Sequence, residues 1–312
     1  MKRLGFTATV SMAILLSGCG GGDGGDGGSS VDSIATKFTI NPSTVTVTPG
    51  TTTTRFAPST GFTAFGATCS RTPGTYNVLL TTNAIVYNSD TVSAADLDNV
   101  ARYTEAAVVT LRSKYGMTDN IGFDGLNKVK VCATVSSVGG SSGYNDLFVE
   151  INNYSNKNAI LADLIKHEMT HMVQAQALNC QLEQYGFERW LTEGMALRSA
   201  EQDLPSKSNL ATLQSLFSGG TPFNDTYNRS FPDFARYPAY RLAYDTFLGQ
   251  YNKTDVDVFK FLRNYGATKG CPVSSPSVAN WKTEFDAYFG TDLRGAGPLG
   301  STFWTSAAAY AK

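Results

Sequence analysis

The chain has 312 residues, 42% of them hydrophobic, with 25 basic against 26 acidic side chains and a net charge of -1. That hydrophobic share is ample for a core at this length, and the near-neutral balance supplies no basic field for nucleic acid. No internal repeat is visible, which excludes solenoid and propeller arrays.

Lys2 and Arg3 precede a mostly apolar run over residues 4–16 that is too short for a membrane-spanning helix and is followed by small residues, so residues 1–18 read as a signal peptide. The run ends in Leu16-Ser17-Gly18-Cys19, which looks like a bacterial lipobox and implies cleavage before Cys19, with acyl chains on that cysteine holding the protein to a membrane. Gly20 in place of Asp after the cysteine implies, by the habit of Gram-negative lipoproteins, the outer membrane, with its periplasmic and surface-exposed faces both open. Cleavage removes the two positive charges of Lys2 and Arg3 and takes the net charge from -1 to -3. Residues 20–30 are all Gly, Asp or Ser, cannot bury a core, and make residues 19–33 a flexible tether.

Residues 34–75 are rich in Thr, Ser and Pro, and their alternation predicts strands at 38–40 and 45–47 with Pro49-Gly50 as a turn. Asn41-Pro42-Ser43-Thr44-Val45-Thr46-Val47 is similar to the start of bacterial immunoglobulin-like modules, but this stretch is well short of a sandwich of about 100 residues. It reads as a strand-rich extension that packs on a larger domain over residues 76–312. There the pattern predicts a strand at 78–86, an amphipathic helix over residues 94–115 closed by Gly116, and strands at 128–135 and 146–152. Cys69, Cys132, Cys180 and Cys271 are an even number in an oxidising compartment, so two disulfides in one of three pairings are expected.

The only two histidines stand in His167-Glu168-Met169-Thr170-His171. Two histidines placed at random fall four apart in roughly one such chain in 160, before the glutamate is required. Asn158 can cap a helix whose apolar positions Ile160, Leu161, Leu164, Ile165, Met169, Met172 and Val173 recur at three- and four-residue spacing up to Leu178. On that helix the two imidazoles share a face and can reach one metal ion, while Glu168 can take a proton from water at the metal's open position. A catalytic zinc needs a third protein ligand, and with no histidine left that ligand is a carboxylate or a cysteine. Downstream, in Trp190-Leu191-Thr192-Glu193-Gly194-Met195-Ala196, Thr192 can cap a second helix with Glu193 in its first turn.

Here the chain resembles the gluzincin metallopeptidases of the peptidase-MA-like kind, whose HExxH is followed by a third-ligand glutamate in a WLxEGxA-like segment. The resemblance is strongest over residues 146–194. It implies an α+β, thermolysin-like catalytic domain: a twisted sheet with an antiparallel edge strand, an active-site helix and a helical C-terminal subdomain. It implies one Zn2+ held by His167, His171 and Glu193, with Glu168 as general base. It also implies a tyrosine that binds the oxyanion: Tyr237 fits best and Tyr240, one turn on, stays open. The strand at 146–152 stands where such proteins place the sheet edge that receives a peptide. Many relatives carry a carboxylate one turn after the third ligand to orient a histidine; Leu197 and Arg198 stand there, leaving Asp163 or Glu201 for that task. Further helices are predicted at 210–217, 237–251, 255–265 and 280–289.

The function expected is a membrane-anchored zinc peptidase acting on a peptide or protein substrate. Gly143-Tyr144-Asn145-Asp146 does not match the amine-binding GxMEN-like segment of the M1 aminopeptidases, which favours an endopeptidase or a narrowly specific peptidase. The other reading is a lipid-anchored binding or adhesion protein that holds zinc without catalysis; the intact Glu168 argues against it, since a closed structural site has no use for an uncoordinated carboxylate. Oligomeric state leaves no mark on the sequence.

Overall fold

A computed structural model of the protein describes residues 34, 37–52, 76–88, 92–118, 121–123, 125–135, 139–142, 146–151, 157–180, 182, 186–217, 220–224, 234–271, 281–293 and 297–312. The signal peptide, Cys19, the tether and Cys69 lie outside the described residues. The described strands are β1 (Thr48–Thr52), β2 (Tyr76–Leu80), β3 (Ala84–Asn88), β4 (Val129–Val135), β5 (Gly139–Ser142) and β6 (Asp146–Ile151). They form one mixed sheet in the order β1-β2-β3-β4-β6-β5, with β3, β4 and β6 parallel and the other pairs antiparallel. The helices are α1 (Ala94–Tyr115), α2 (Lys157–Leu178), α3 (Arg189–Ala200), α4 (Leu210–Ser215), α5 (Tyr237–Gln250), α6 (Asp255–Lys269), α7 (Trp281–Phe289) and α8 (Phe303–Ala307). Among the described residues every strand precedes α2 and every later element is helical, a segregation that makes the architecture mixed α and β of the α+β kind.

Local chemistry sets the helix ends. Ser93 accepts a hydrogen bond from the Asp96 N–H to start α1, and Gly116 ends it in the left-handed conformation at φ 65°. Thr254 and Asp257 form a reciprocal capping box at the start of α6. Helix α1 lies against β3 and α2 against β5 and β6; the two helices also pack on each other. Their buried stripes, including Val100, Val108 and Leu111 of α1 and Leu164, Ile165, Met169 and Val173 of α2, join Val86, Val131 and Val149 of the sheet in one core. Helix α3 packs on α2, α5 on α3, and α6 spans α1 and α2. Cys180, just past α2, is bonded to Cys271, just past α6, with Cα atoms 5.3 Å apart. Cys132 on β4 is also disulfide-bonded. Among the described residues no helix is long and apolar enough to cross a membrane.

Several expected elements differ. Residues 38–40 form bends and 45–47 are irregular after a short 3-10 turn at Pro42–Thr44, because this segment is fixed by side chains rather than by a strand partner. Phe38 stacks on Tyr103, and the Lys37 ammonium lies 2.8 Å from Asp163 of α2. Pro49 and Gly50 lie inside β1, an edge strand, where a missing proline N–H is tolerated. The strand expected at 78–86 is a hairpin, β2 and β3, turned at Thr81 and Asn83, whose hydroxyl, side-chain amide and backbone N–H all donate to the buried Glu105 carboxylate. Strand β6 is not the sheet edge: β5 covers it, and β5 is the outer strand beside α2. Asn158 lies within α2 rather than capping it, and α3 starts earlier than expected, with Glu188 at its N-cap and Thr192 inside the helix.

Candidate metal centre

Two helices build the site, each anchored independently. Helix α2 presents His167, Glu168 and His171 from a segment whose neighbours Ile165, Met169 and Val173 are fully buried. The start of α3 is held by an aromatic cluster in which the Trp190 ring meets Phe223 at 4.7 Å and Phe285 at 5.6 Å. Glu188 takes a hydrogen bond from the Trp190 indole at 3.0 Å and pairs with Lys282, so the turn preceding Glu193 is fixed.

These constraints bring His167, His171 and Glu193 together, with one ligand atom from each lying within 4.8 Å of the others. The Nε2 atoms of His167 and His171 are 3.3 and 3.4 Å from the same oxygen, Glu193 Oε2. The two rings are nearly perpendicular, at 80° and 5.0 Å between centroids. His167, Glu168 and Glu193 are each only 7% exposed. Burial alone would raise the Glu193 carboxyl, but the facing imidazoles, His171 foremost, hold it well below the ordinary carboxylate range. For His171, burial opposes the charge, yet Glu193 outweighs it and pushes the group up to about 9.

The outer ring nitrogens have their own partners. His171 Nδ1 is 2.9 Å from Gln174 Oε1, and the Gln174 amide donates to the Thr192 carbonyl at 2.9 Å. Since that amide nitrogen must face the carbonyl, its oxygen faces the imidazole and accepts the Nδ1 proton. His167 Nδ1 is 3.1 Å from Gln202 Oε1. Once His171 gives up its proton, both Nε2 atoms turn lone pairs toward Glu193 Oε2. Three acceptors converging in a buried space fit a cation, and these residues can hold a metal ion.

The second carboxylates considered from the sequence are engaged elsewhere. Asp163 pairs with Lys37, and Glu201 accepts from the buried Lys166 at 3.1 Å, so neither orients a histidine. Gln174 and Gln202 stand beside the two ring nitrogens instead, and sequence reasoning missed both. Gln174 left a faint signal as a polar residue one turn after His171 on a largely apolar face; Gln202 left none.

Tyr237 and Tyr240 occupy different places. The Tyr237 ring is partly exposed, 6.4 Å from the His167 ring and stacked on Phe234 at 5.3 Å. Tyr240 is fully buried and packs against Phe217 at 6.2 Å. Helix α5, which carries both, is pressed on α3 at Gly194: a Cβ there would stand 2.5 Å from the Tyr240 carbonyl oxygen. No protein-family model matches this chain, and no curated protein matches its sequence.

Proposed function

We propose that this chain is a zinc-dependent peptidase of the gluzincin kind, an endopeptidase carried outside the cytoplasm on a lipidated Cys19. The observation that carries the reading is the convergence of two imidazole Nε2 atoms on one buried carboxylate oxygen, with Glu168 left between them on the same helix turn. Four-coordinate zinc with bonds of about 2.0–2.2 Å sets neighbouring ligand atoms about 3.4 Å apart. The spacings of 3.3 and 3.4 Å match it. Two imidazoles and one carboxylate are a catalytic set that leaves a position open, unlike the closed sets of structural sites.

A zinc ion held by His167, His171 and Glu193 would supply a Lewis acid for the scissile carbonyl and lower the pKa of water. Glu168 takes the proton of the attacking water and delivers it to the leaving amine. Tyr237, the partly exposed tyrosine beside His167, donates its phenol to the developing oxyanion, and the buried Tyr240 packs beneath it. Strand β5 is the edge along which an extended substrate backbone would complete the sheet. Anchoring at Cys19 and release of residues 1–18 rest on the sequence pattern alone.

The test is cleavage of a mixed peptide library, with and without a chelator. Wild-type protein should cut internal bonds in a chelator-sensitive way, and Glu168→Gln should abolish cleavage while keeping about one zinc per chain. Undiminished cleavage by that variant refutes the assigned base. A zinc-loaded wild type that cuts nothing leaves the binding-protein reading in its place.

A further inference from the structure

We propose that Gln174 and Gln202 are positioning residues that fix the tautomers of the two histidines with neutral amides in place of the usual carboxylates, and that Gln174 also sets the spacing between α2 and α3. This rests on the metal-site reading above. Gln174 stands between two ligand-bearing elements: its oxygen takes the His171 Nδ1 proton while its nitrogen holds the carbonyl of Thr192, the residue before Glu193. It is 1% exposed, so neither bond has water as a substitute.

Gln202 reaches His167 by a different route. After α3 the chain reverses at Glu201, a non-glycine residue held at φ 61°. A non-glycine residue persists in that conformation only where its surroundings impose it. They do so from three sides. The Gln202 N–H donates to the Leu197 carbonyl at 2.9 Å, Arg241 of α5 donates to the Gln202 carbonyl at 3.1 Å, and Lys166 holds the Glu201 carboxylate. Lys166 also donates to the Lys37 carbonyl at 2.8 Å, so the segment after the tether braces the same turn.

The amide character has a chemical consequence. A carboxylate at Nδ1 pulls on the imidazole proton, makes Nε2 more basic and neutralises charge at the metal. A glutamine oxygen orients the ring without drawing the proton, so Glu193 is the one anionic ligand and the site keeps more of a divalent ion's positive charge for polarising a carbonyl.

The two glutamines therefore respond differently to replacement. Gln202→Glu keeps an acceptor for His167 and should hold zinc at least as tightly as wild type. Gln174→Glu keeps the acceptor but loses the donor to Thr192 and sets a carboxylate against that carbonyl, so its zinc affinity should fall. Gln174→Leu and Gln202→Leu should each weaken zinc binding about 10- to 100-fold.

The experiment is zinc competition against a chromophoric chelator on the full chain, with long-range proton–nitrogen spectra of the imidazoles, which come from only two histidines. Each Leu variant should change the ring-nitrogen signals of its own histidine, His171 for Gln174 and His167 for Gln202. A merely structural role would lower stability without that selectivity. Leu variants with wild-type affinity and unchanged ring signals overturn the proposal, as does a Gln202→Glu variant that binds more weakly than Gln202→Leu. Should the buried Gln174 variants fail to fold, the pair at the partly exposed Gln202 decides it. Zinc binding by wild type with indifferent variants sinks this inference alone; a wild type that binds no zinc sinks the metal reading with it.

Discussion

Gly194→Ala tests how closely Glu193 is tied to the helix that carries Tyr237. The new Cβ would lie 2.5 Å from the Tyr240 carbonyl oxygen and 2.8 Å from Tyr244 Cβ. Ordinary contact begins at 3.4 Å, so α3 and α5 must part by 3.4 - 2.5, about 0.9 Å, because a helical carbonyl cannot rotate aside. Overpacking of this depth belongs at the upper end of about 1–3 kcal/mol, while the better helix propensity of alanine offsets about 1 kcal/mol. The net loss of about 2 kcal/mol corresponds to a Tm lower by roughly 4–8 °C in a domain of this size. Since α5 carries Tyr237, a displacement near 1 Å should also cost about 10²-fold in kcat. Thermal melts and steady-state kinetics on a cleaved library peptide read the two effects. A variant with wild-type Tm and wild-type kcat would refute the tight crossing as the device that places the tyrosine.

Two further outcomes follow from the site. Tyr237→Phe should lower kcat about 10²- to 10³-fold with zinc affinity unchanged, whereas Tyr240→Phe should leave kcat near wild type; the reverse pattern in steady-state assays would move the oxyanion role one turn along α5. In the metal-free chain His171 is held up to about 9, so the imidazolium–carboxylate pair with Glu193 stabilises the fold fully below about pH 6.5 and is lost as pH rises through about 9. The metal-free Tm should fall across that window while the zinc-loaded Tm does not, and calorimetry in buffers of different ionisation enthalpy should show about one proton released per zinc at pH 7.5; a flat metal-free profile contradicts the pairing.

The parts of the site visible in the sequence are those set by local periodicity. His167 and His171 are one helical turn apart, and the apolar spacing from Leu161 to Val173 is enough to place them on a helix facing inward. Ser93 and Gly116 bound α1 because capping chemistry is local. What escaped depends on distant partners. Phe38 to Ile40 alternates like a strand, but the stacking of Phe38 on Tyr103 and the bond from the Thr39 N–H to Thr110 decide its conformation. The hairpin between β2 and β3 turns without Gly or Pro because the buried Glu105 satisfies its turn. Gln202 reaches His167 only through a left-handed Glu201, and its uncharged amide carries no sequence mark of metal chemistry. The sheet edge lies one strand beyond the expected one, since the short Gly139–Ser142 segment, lacking any apolar residue, gives no periodic signal.

The metal content of purified protein by elemental mass spectrometry, compared with Glu193→Ala, tests the zinc site most directly. Wild-type chain should carry about one zinc and the variant near zero, because removing the carboxylate leaves two imidazoles and no anionic ligand. An unchanged zinc content in Glu193→Ala would contradict it.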